Sequence, residues 1–146
     1  MPRATAAILV LSLALPPAAS AACGPDRHAG GFDLQVARAA APSYPLVAIK
    51  MRFTGDVPVS VVVGDDGAVT SAEPVKAGVP AVDRAAVAAA RRWRFQPPPP
   101  RARREVVLHV CFQLADAGSS EIGAVFEPPD SVTLTGEAPL VSPPIP

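Results

Sequence analysis

Alternating valines constrain the fold of this chain more than any other feature of its sequence. Valines stand at positions 57, 59, 61 and 63, with other residues between them. A period of two is typical of a β-strand that is buried on one side. The next four residues, Gly-Asp-Asp-Gly at 64–67, tolerate the positive φ angles of a tight hairpin. Residues 68–76 are therefore predicted to form a second strand, antiparallel to the first.

A helix is predicted to follow this hairpin. Pro80 suits the first turn of a helix because its missing N–H group has no partner there, and Asp83 complements the positive end of the helix dipole. Apolar residues three or four apart form one stripe that can pack on the valine face of the sheet. The predicted core of the domain is Val59, Val61, Val82, Ala86, Ala89, Trp93 and Phe95.

The remaining periodic segments complete an α+β fold. Residues 44–51 predict a short helix begun by Pro45, and residues 105–114 alternate as a third strand. We expect a small three-stranded antiparallel sheet packed by one main helix, with a short helix before it. Residues 44–115 would form this domain and residues 22–43 a tether with one helical turn around 36–41. Residues 116–146 would be a Pro-rich, flexible tail with a weak strand candidate at 131–135.

The N-terminus has the features of a secretory signal. Arg3 precedes an apolar run over residues 4–15, and a proline pair and small residues up to Ala21 follow. Cleavage after Ala21 would deliver the chain to the periplasm. An uncleaved inner-membrane anchor and a lipid anchor on Cys23 are the alternatives, and the protein would contact the membrane only if the segment is retained.

Composition and motifs exclude several classes of function. The formal net charge is zero, so the chain has no field that would gather nucleic acid. It has no nucleophile motif and no phosphate-binding loop, so no catalytic residue, no enzyme activity and no cofactor are expected. Two cysteines in an exported chain predict a disulfide between Cys23 and Cys111. The alternative is a zinc site that also uses His28 and His109, but the ligand spacing is unusual and we expect no metal.

The order of these elements resembles the C-terminal domain of the TonB energy transducers. The resemblance covers residues 44–114 and is carried by Tyr44-Pro45, the alternating valines, the Asp-Gly turn, Trp93-Arg94-Phe95 with Pro97, and the strand that contains Val110 and Phe112. Members of this family pass energy from the proton gradient to outer-membrane receptors. Only about twenty residues separate the export segment from the domain, a reach of roughly 70 Å, and the apolar segment has no ionisable residue that would couple it to a motor.

The resemblance also implies a binding site. A sheet that is open at one edge can accept an extended peptide as an added strand. By resemblance, the docking edge is the third strand, whose residues are Val106, Val107, Leu108, His109, Val110, Cys111, Phe112, Gln113 and Leu114. The alternatives are that residues 121–134 of the chain's own tail, or a second copy of the chain, cover this edge.

Two functions remain from this reasoning. The first is a TonB-like periplasmic module that binds a receptor-derived peptide segment or another envelope protein and contacts TonB-dependent receptors in energy-coupled transport. The second is a structural or self-associating envelope protein, such as a homodimer, with no transport role. They differ in whether the 106–114 edge is free to bind.

Overall fold

The computed structural model describes residue 23, residues 33–116 and residues 122–139. The expected signal peptide, His28 and most of the N-terminal half of the expected tether lie outside these residues. In the described part of the chain, no helix has the length and hydropathy needed to cross a bilayer.

The described residues form an α+β domain with one main sheet. The helices are α1 (Leu46–Lys50) and α2 (Pro80–Arg92). The strands are β1 (Val36–Arg38), β2 (Gly55–Val63), β3 (Val69–Pro74), β4 (Arg94–Phe95), β5 (Glu105–Ala115), β6 (Gly123–Glu127) and β7 (Ser131–Glu137). The main sheet has the order β3-β2-β5-β7-β6, and β1 pairs separately with β4. The α+β class is confirmed, but the expectation of three strands is wrong because β6 and β7 add two more.

The β2–β3 hairpin forms as its sequence predicts. Gly67 has a φ of 82° and its N–H donates to the Gly64 carbonyl at 3.0 Å. The Asp66 carboxylate accepts the Ala68 N–H at 3.1 Å, which closes the turn. A side chain at position 67 would collide with the Phe95 carbonyl, so only glycine fits between this turn and β4.

Helix α2 covers one face of the sheet. All seven residues of the predicted core are buried, and Val57, Val63, Leu108, Val110 and Phe112 join them from the strands. Trp93 follows the last turn of α2 with no exposed surface, and its indole N–H donates to the Ala40 carbonyl at 3.0 Å. The short helix α1 begins one residue after the expected Pro45, which is its N-cap.

Residues 33–43 pack against the domain instead of extending from it as a tether. The helical turn expected around 36–41 is wrong, because Val36 and Arg38 pair with Phe95 and Arg94 across the β1–β4 ladder. Leu34 is 4% exposed and belongs to the core. Burial of the Leu34 side chain in the core removes apolar surface from water. This burial favours the conformation in which the segment folds back on the domain.

The expectation of a flexible tail is also wrong for residues 122–139. These residues form the β6–β7 hairpin, in which Glu127 pairs with Ser131 and Gly123 with Thr135. Its turn contains a cis peptide bond between Pro128 and Pro129. Val132 is buried in the common core, so this part of the tail is a component of the domain.

A candidate strand-addition edge at β5

The residues expected to bind a partner all lie on β5, and they face two directions. Val106, Leu108, Val110 and Phe112 point into the core, where each is at most 8% exposed. Val107, His109, Cys111 and Gln113 point to the opposite face. Leu114 lies near the end of the strand and is partly buried. The core-facing side chains of β5 are therefore fixed by packing, and a partner that adds a strand would engage mainly its backbone.

Whether the β5 edge is free was left open by the sequence, and in the structure most of this edge is paired. Strand β2 pairs with one side of β5, and β7 pairs with the other side in parallel from His109 to Ala115. The His109 N–H donates to the Asp130 carbonyl, and the Ala138 N–H donates to the Ala115 carbonyl, both at 2.9 Å. Of the predicted edge 106–114, only residues 106–108 lie outside the β5–β7 register. Of the alternatives, coverage by the chain's own tail is the one observed.

Side chains of β7 fit the face of the core that β5 presents. Val132 lies beside Val110 and Leu134 beside Phe112, on the face that α2 covers. Two residues further along, Gly136 lies beside Leu114, and a Cβ at Gly136 would be 2.7 Å from Cδ2 of Tyr44. Residues 132–136 of β7 are therefore apolar, polar, apolar, polar and glycine in turn. The apolar residues and the glycine stand where β5 and Tyr44 require them.

Tyr44 covers this end of the β5–β7 pair. Its ring meets Phe112 edge to face with the centroids 5.2 Å apart. Its hydroxyl donates to the Phe53 carbonyl, and burial raises the pKa of Tyr44 above its ordinary value. Tyr44, from the start of the domain, thus holds the end of β7 in position.

The outer edge of the sheet is now β6. All five of its residues are exposed, and Val125 is 62% exposed. Phe126 on the inner face meets Trp93 edge to face with ring centroids 5.6 Å apart. The hairpin therefore covers the edge of β5 and leaves β6 as the new edge of the sheet. Glu127, at its end, is the only charged residue of β6.

The opposite face of the sheet carries the cysteine and histidine side chains. His109 Nδ1 is 2.9 Å from Asp56 Oδ2, and these side chains are 18% and 8% exposed. Beside them Cys111 is at disulfide-bonding distance from Cys23, with their Cα atoms 6.0 Å apart. Among the residues described, no group of three His, Cys, Asp or Glu side chains is placed to hold a metal ion. The two cysteines therefore tie the N-terminal segment to the sheet.

Sequence reasoning missed two parts of this site and indicated a third only weakly. The Asp56–His109 pair lies 53 residues apart in the chain, and no local pattern indicates such a contact. Strand β6 has no clear alternation, and β7 corresponds to the weak strand candidate at 131–135. The sequence signal for β7 is the alternation of Val132 and Leu134 with polar residues. In the structure these two side chains form the inner face of β7.

Comparison with known families gives one match. The sequence model of the family described as Gram-negative bacterial TonB protein C-terminal matches residues 40–114. This range includes the β2–β3 hairpin, α2 and most of β5 but ends before the β6–β7 hairpin. A search of curated proteins finds no significant match.

Proposed function

Because the chain belongs to the family of TonB C-terminal domains, we propose that it is an envelope module that binds an extended segment of another envelope protein by strand addition on β5. The family acts in energy transduction in the Gram-negative envelope and is a transport-related domain without enzymatic activity. The partner proposed here is the periplasmic segment of a TonB-dependent outer-membrane receptor. The chain would act in the periplasm after removal of residues 1–21.

One observation carries this proposal: β5 already accepts a parallel strand. Seven consecutive residues of β5 pair with β7, and alternate side chains of β7 enter the core. Strand addition needs an edge with hydrogen-bonding backbone and pockets for alternate side chains, and β5 offers both. A second segment of similar pattern would make the same contacts in place of β7.

Photo-crosslinking in a Gram-negative host tests this proposal. A photoreactive amino acid at Gln113, on β5, should crosslink to the periplasmic segment of a receptor. The same amino acid at Arg84, exposed on α2, is the matched control and should not. Receptor crosslinks at both positions, or at neither position when the Leu134→Ser substitution also weakens β7, would contradict the proposal.

The exposed β6 strand favours a second candidate function, self-association. An edge strand with exposed apolar residues is a template for pairing with another chain, and Ile122 and Val125 are 47% and 62% exposed. A homodimer joined through β6 would be a structural envelope protein with no transport role. Sedimentation velocity tests this candidate: a concentration-dependent dimer that Val125→Lys abolishes would support it, and a monomer at about 1 mM would contradict it.

A further inference from the structure

The β6–β7 hairpin lies where a partner would have to bind. Along residues 109–115, β7 forms the ladder on the side of β5 away from β2. We infer that the hairpin is an internal ligand of the β5 edge, and that an external segment reaches this edge only when the hairpin leaves it. This inference rests on the proposed function because it concerns the same edge.

The hairpin is attached less firmly than the strands it joins. Strands β2 and β5 each bury four apolar side chains on the core face, whereas Val132 is the only buried hydrophobic residue of the hairpin. Every residue of β6 is exposed. Segments with few buried apolar contacts open at a lower free energy than the core of a protein, so the hairpin can leave while the rest stays folded.

The hairpin also lies outside the part of the chain that matches the family. That match covers residues 40–114, which contain α1, α2, β2, β3 and all but the last residue of β5. Besides the β5–β7 ladder and Val132, several further contacts attach the hairpin. They include the partly buried Leu134 side chain, the Phe126–Trp93 ring contact, the Tyr44 ring on Gly136, and a hydrogen bond of 3.3 Å from Arg52 to the Pro139 carbonyl.

The contacts that β7 makes with β5 and Tyr44 indicate which sequence an external segment would need in order to bind in its place. The segment must be extended and run parallel to β5, with apolar residues beside Val110 and Phe112, as Val132 and Leu134 are. Two residues after the second apolar position it needs glycine, because the Tyr44 ring leaves no room for a Cβ. Residues between these positions face away from the core and can be polar, as Thr133 and Thr135 are.

A peptide with the sequence of residues 129–139 is the probe for this inference. In the wild-type chain it competes with an intramolecular strand, whose effective concentration is on the order of millimolar. Leu134→Ser removes an inner-face side chain of β7 and should release the edge. Thr135→Ser alters the next residue on the opposite face and is the matched control. We expect the labelled peptide to bind the Leu134→Ser chain at least about tenfold more tightly than wild type or Thr135→Ser.

Two outcomes of this titration would overturn the inference. One is equal affinity for all three proteins. The other is no binding to a Leu134→Ser chain whose Val110 and Phe112 amides, which face β2, stay protected from hydrogen exchange. As a check on register, a peptide that carries Gly136→Val should lose binding, because its side chain would meet Tyr44; full retention of binding would contradict the register.

Hydrogen exchange of the unaltered chain tests the inference without any variant. The His109 N–H faces β7, so alternate amides, those of His109, Cys111 and Gln113, face β7, and those of Val110 and Phe112 face β2. We expect the first group to exchange at least about tenfold faster, through an opening that leaves the second group protected. Exchange of both groups at one rate would overturn the inference.

These results separate the inference from the proposed function. If the 129–139 peptide binds the Leu134→Ser chain but no receptor segment binds either protein, the internal-ligand inference stands and the receptor function fails. If receptor segments bind wild type and Leu134→Ser equally and shift the amides of β5 in both, strand addition on β5 stands and the internal-ligand inference fails.

Discussion

The ring of Tyr44 lies on Gly136, so that the first residue of the predicted domain rests on a strand almost a hundred residues further along the chain. A Cβ at Gly136 would stand 2.7 Å from Cδ2 and 3.1 Å from Cε2 of that ring. The ring is also held by Phe112 and by the Phe53 carbonyl. Glycine at position 136 is thus required by packing.

We predict that Gly136→Ala destabilises the chain. The added methyl group forces the Tyr44 ring or β7 to move, at a cost of about 1–3 kcal/mol. Urea unfolding followed by Trp93 fluorescence measures the change in the free energy of unfolding. Gly78→Ala is the control, because the nearest atom to its Cβ is an Asp83 oxygen at 3.4 Å. An unchanged midpoint for Gly136→Ala would contradict the contact.

Trp93→Phe should show how firmly residues 33–43 are attached. The substitution leaves the Ala40 carbonyl without the indole donor at 3.0 Å and opens space in the core. We expect a loss of about 2–3 kcal/mol, measured by urea unfolding with circular dichroism. Arg92→Gln removes an exposed hydrogen bond to the neighbouring Ala41 carbonyl and should cost less than about 0.5 kcal/mol. An equal decrease in the free energy of unfolding for the two variants would refute this prediction.

Reduction should weaken the oxidised chain. A bond between Cys23 and Cys111 spans 88 residues, and the chain-entropy account assigns such a loop about 4.6 kcal/mol. Urea unfolding with and without a reducing agent measures the difference. In Cys23→Ser the reducing agent should have no effect. An oxidised wild type that unfolds at the same urea concentration as the reduced form would contradict the stabilising role.

Alkaline pH should destabilise the chain through Tyr44. Burial raises the pKa of this phenol in the folded state, so folding favours the protonated form. Its contribution to stability is complete below the unfolded-state pKa near ~10 and is lost as pH rises through the folded-state pKa. Because Tyr44 is the only tyrosine, ultraviolet absorbance reports its ionisation alone. Tyr44→Phe should flatten the fall in stability above about pH 10; an identical fall in both proteins would disprove the assignment.

Sequence periodicity predicted the parts of the fold whose contacts are local. The valines of β2 and the stripe from Val82 to Trp93 have clear periods, and both form the expected elements. Turn residues such as Gly67 act within four positions of each other, so their role can be recognised without knowledge of the rest of the chain.

Pairings between distant segments were not predictable in the same way. Strands β1 and β7 each pair with a neighbour far along the chain, Val36 with Phe95 and Leu134 with Phe112. Strand propensity depends strongly on such neighbours. For the candidate site, the resemblance to the family pointed to β5 as the docking edge, but the sequence did not determine that β7 of the same chain pairs with it.

Nuclear magnetic resonance titration tests the central claim, strand addition on β5, most directly. Mature chain from residue 22, labelled with ¹⁵N and carrying Leu134→Ser, is titrated with a peptide from the periplasmic terminus of an outer-membrane receptor. We predict saturable shifts at the amides of His109, Cys111 and Gln113, with those of α2 unchanged. Shifts confined to β6, or no shift at about 1 mM peptide in a chain that remains folded, would contradict the claim that β5 is the binding edge.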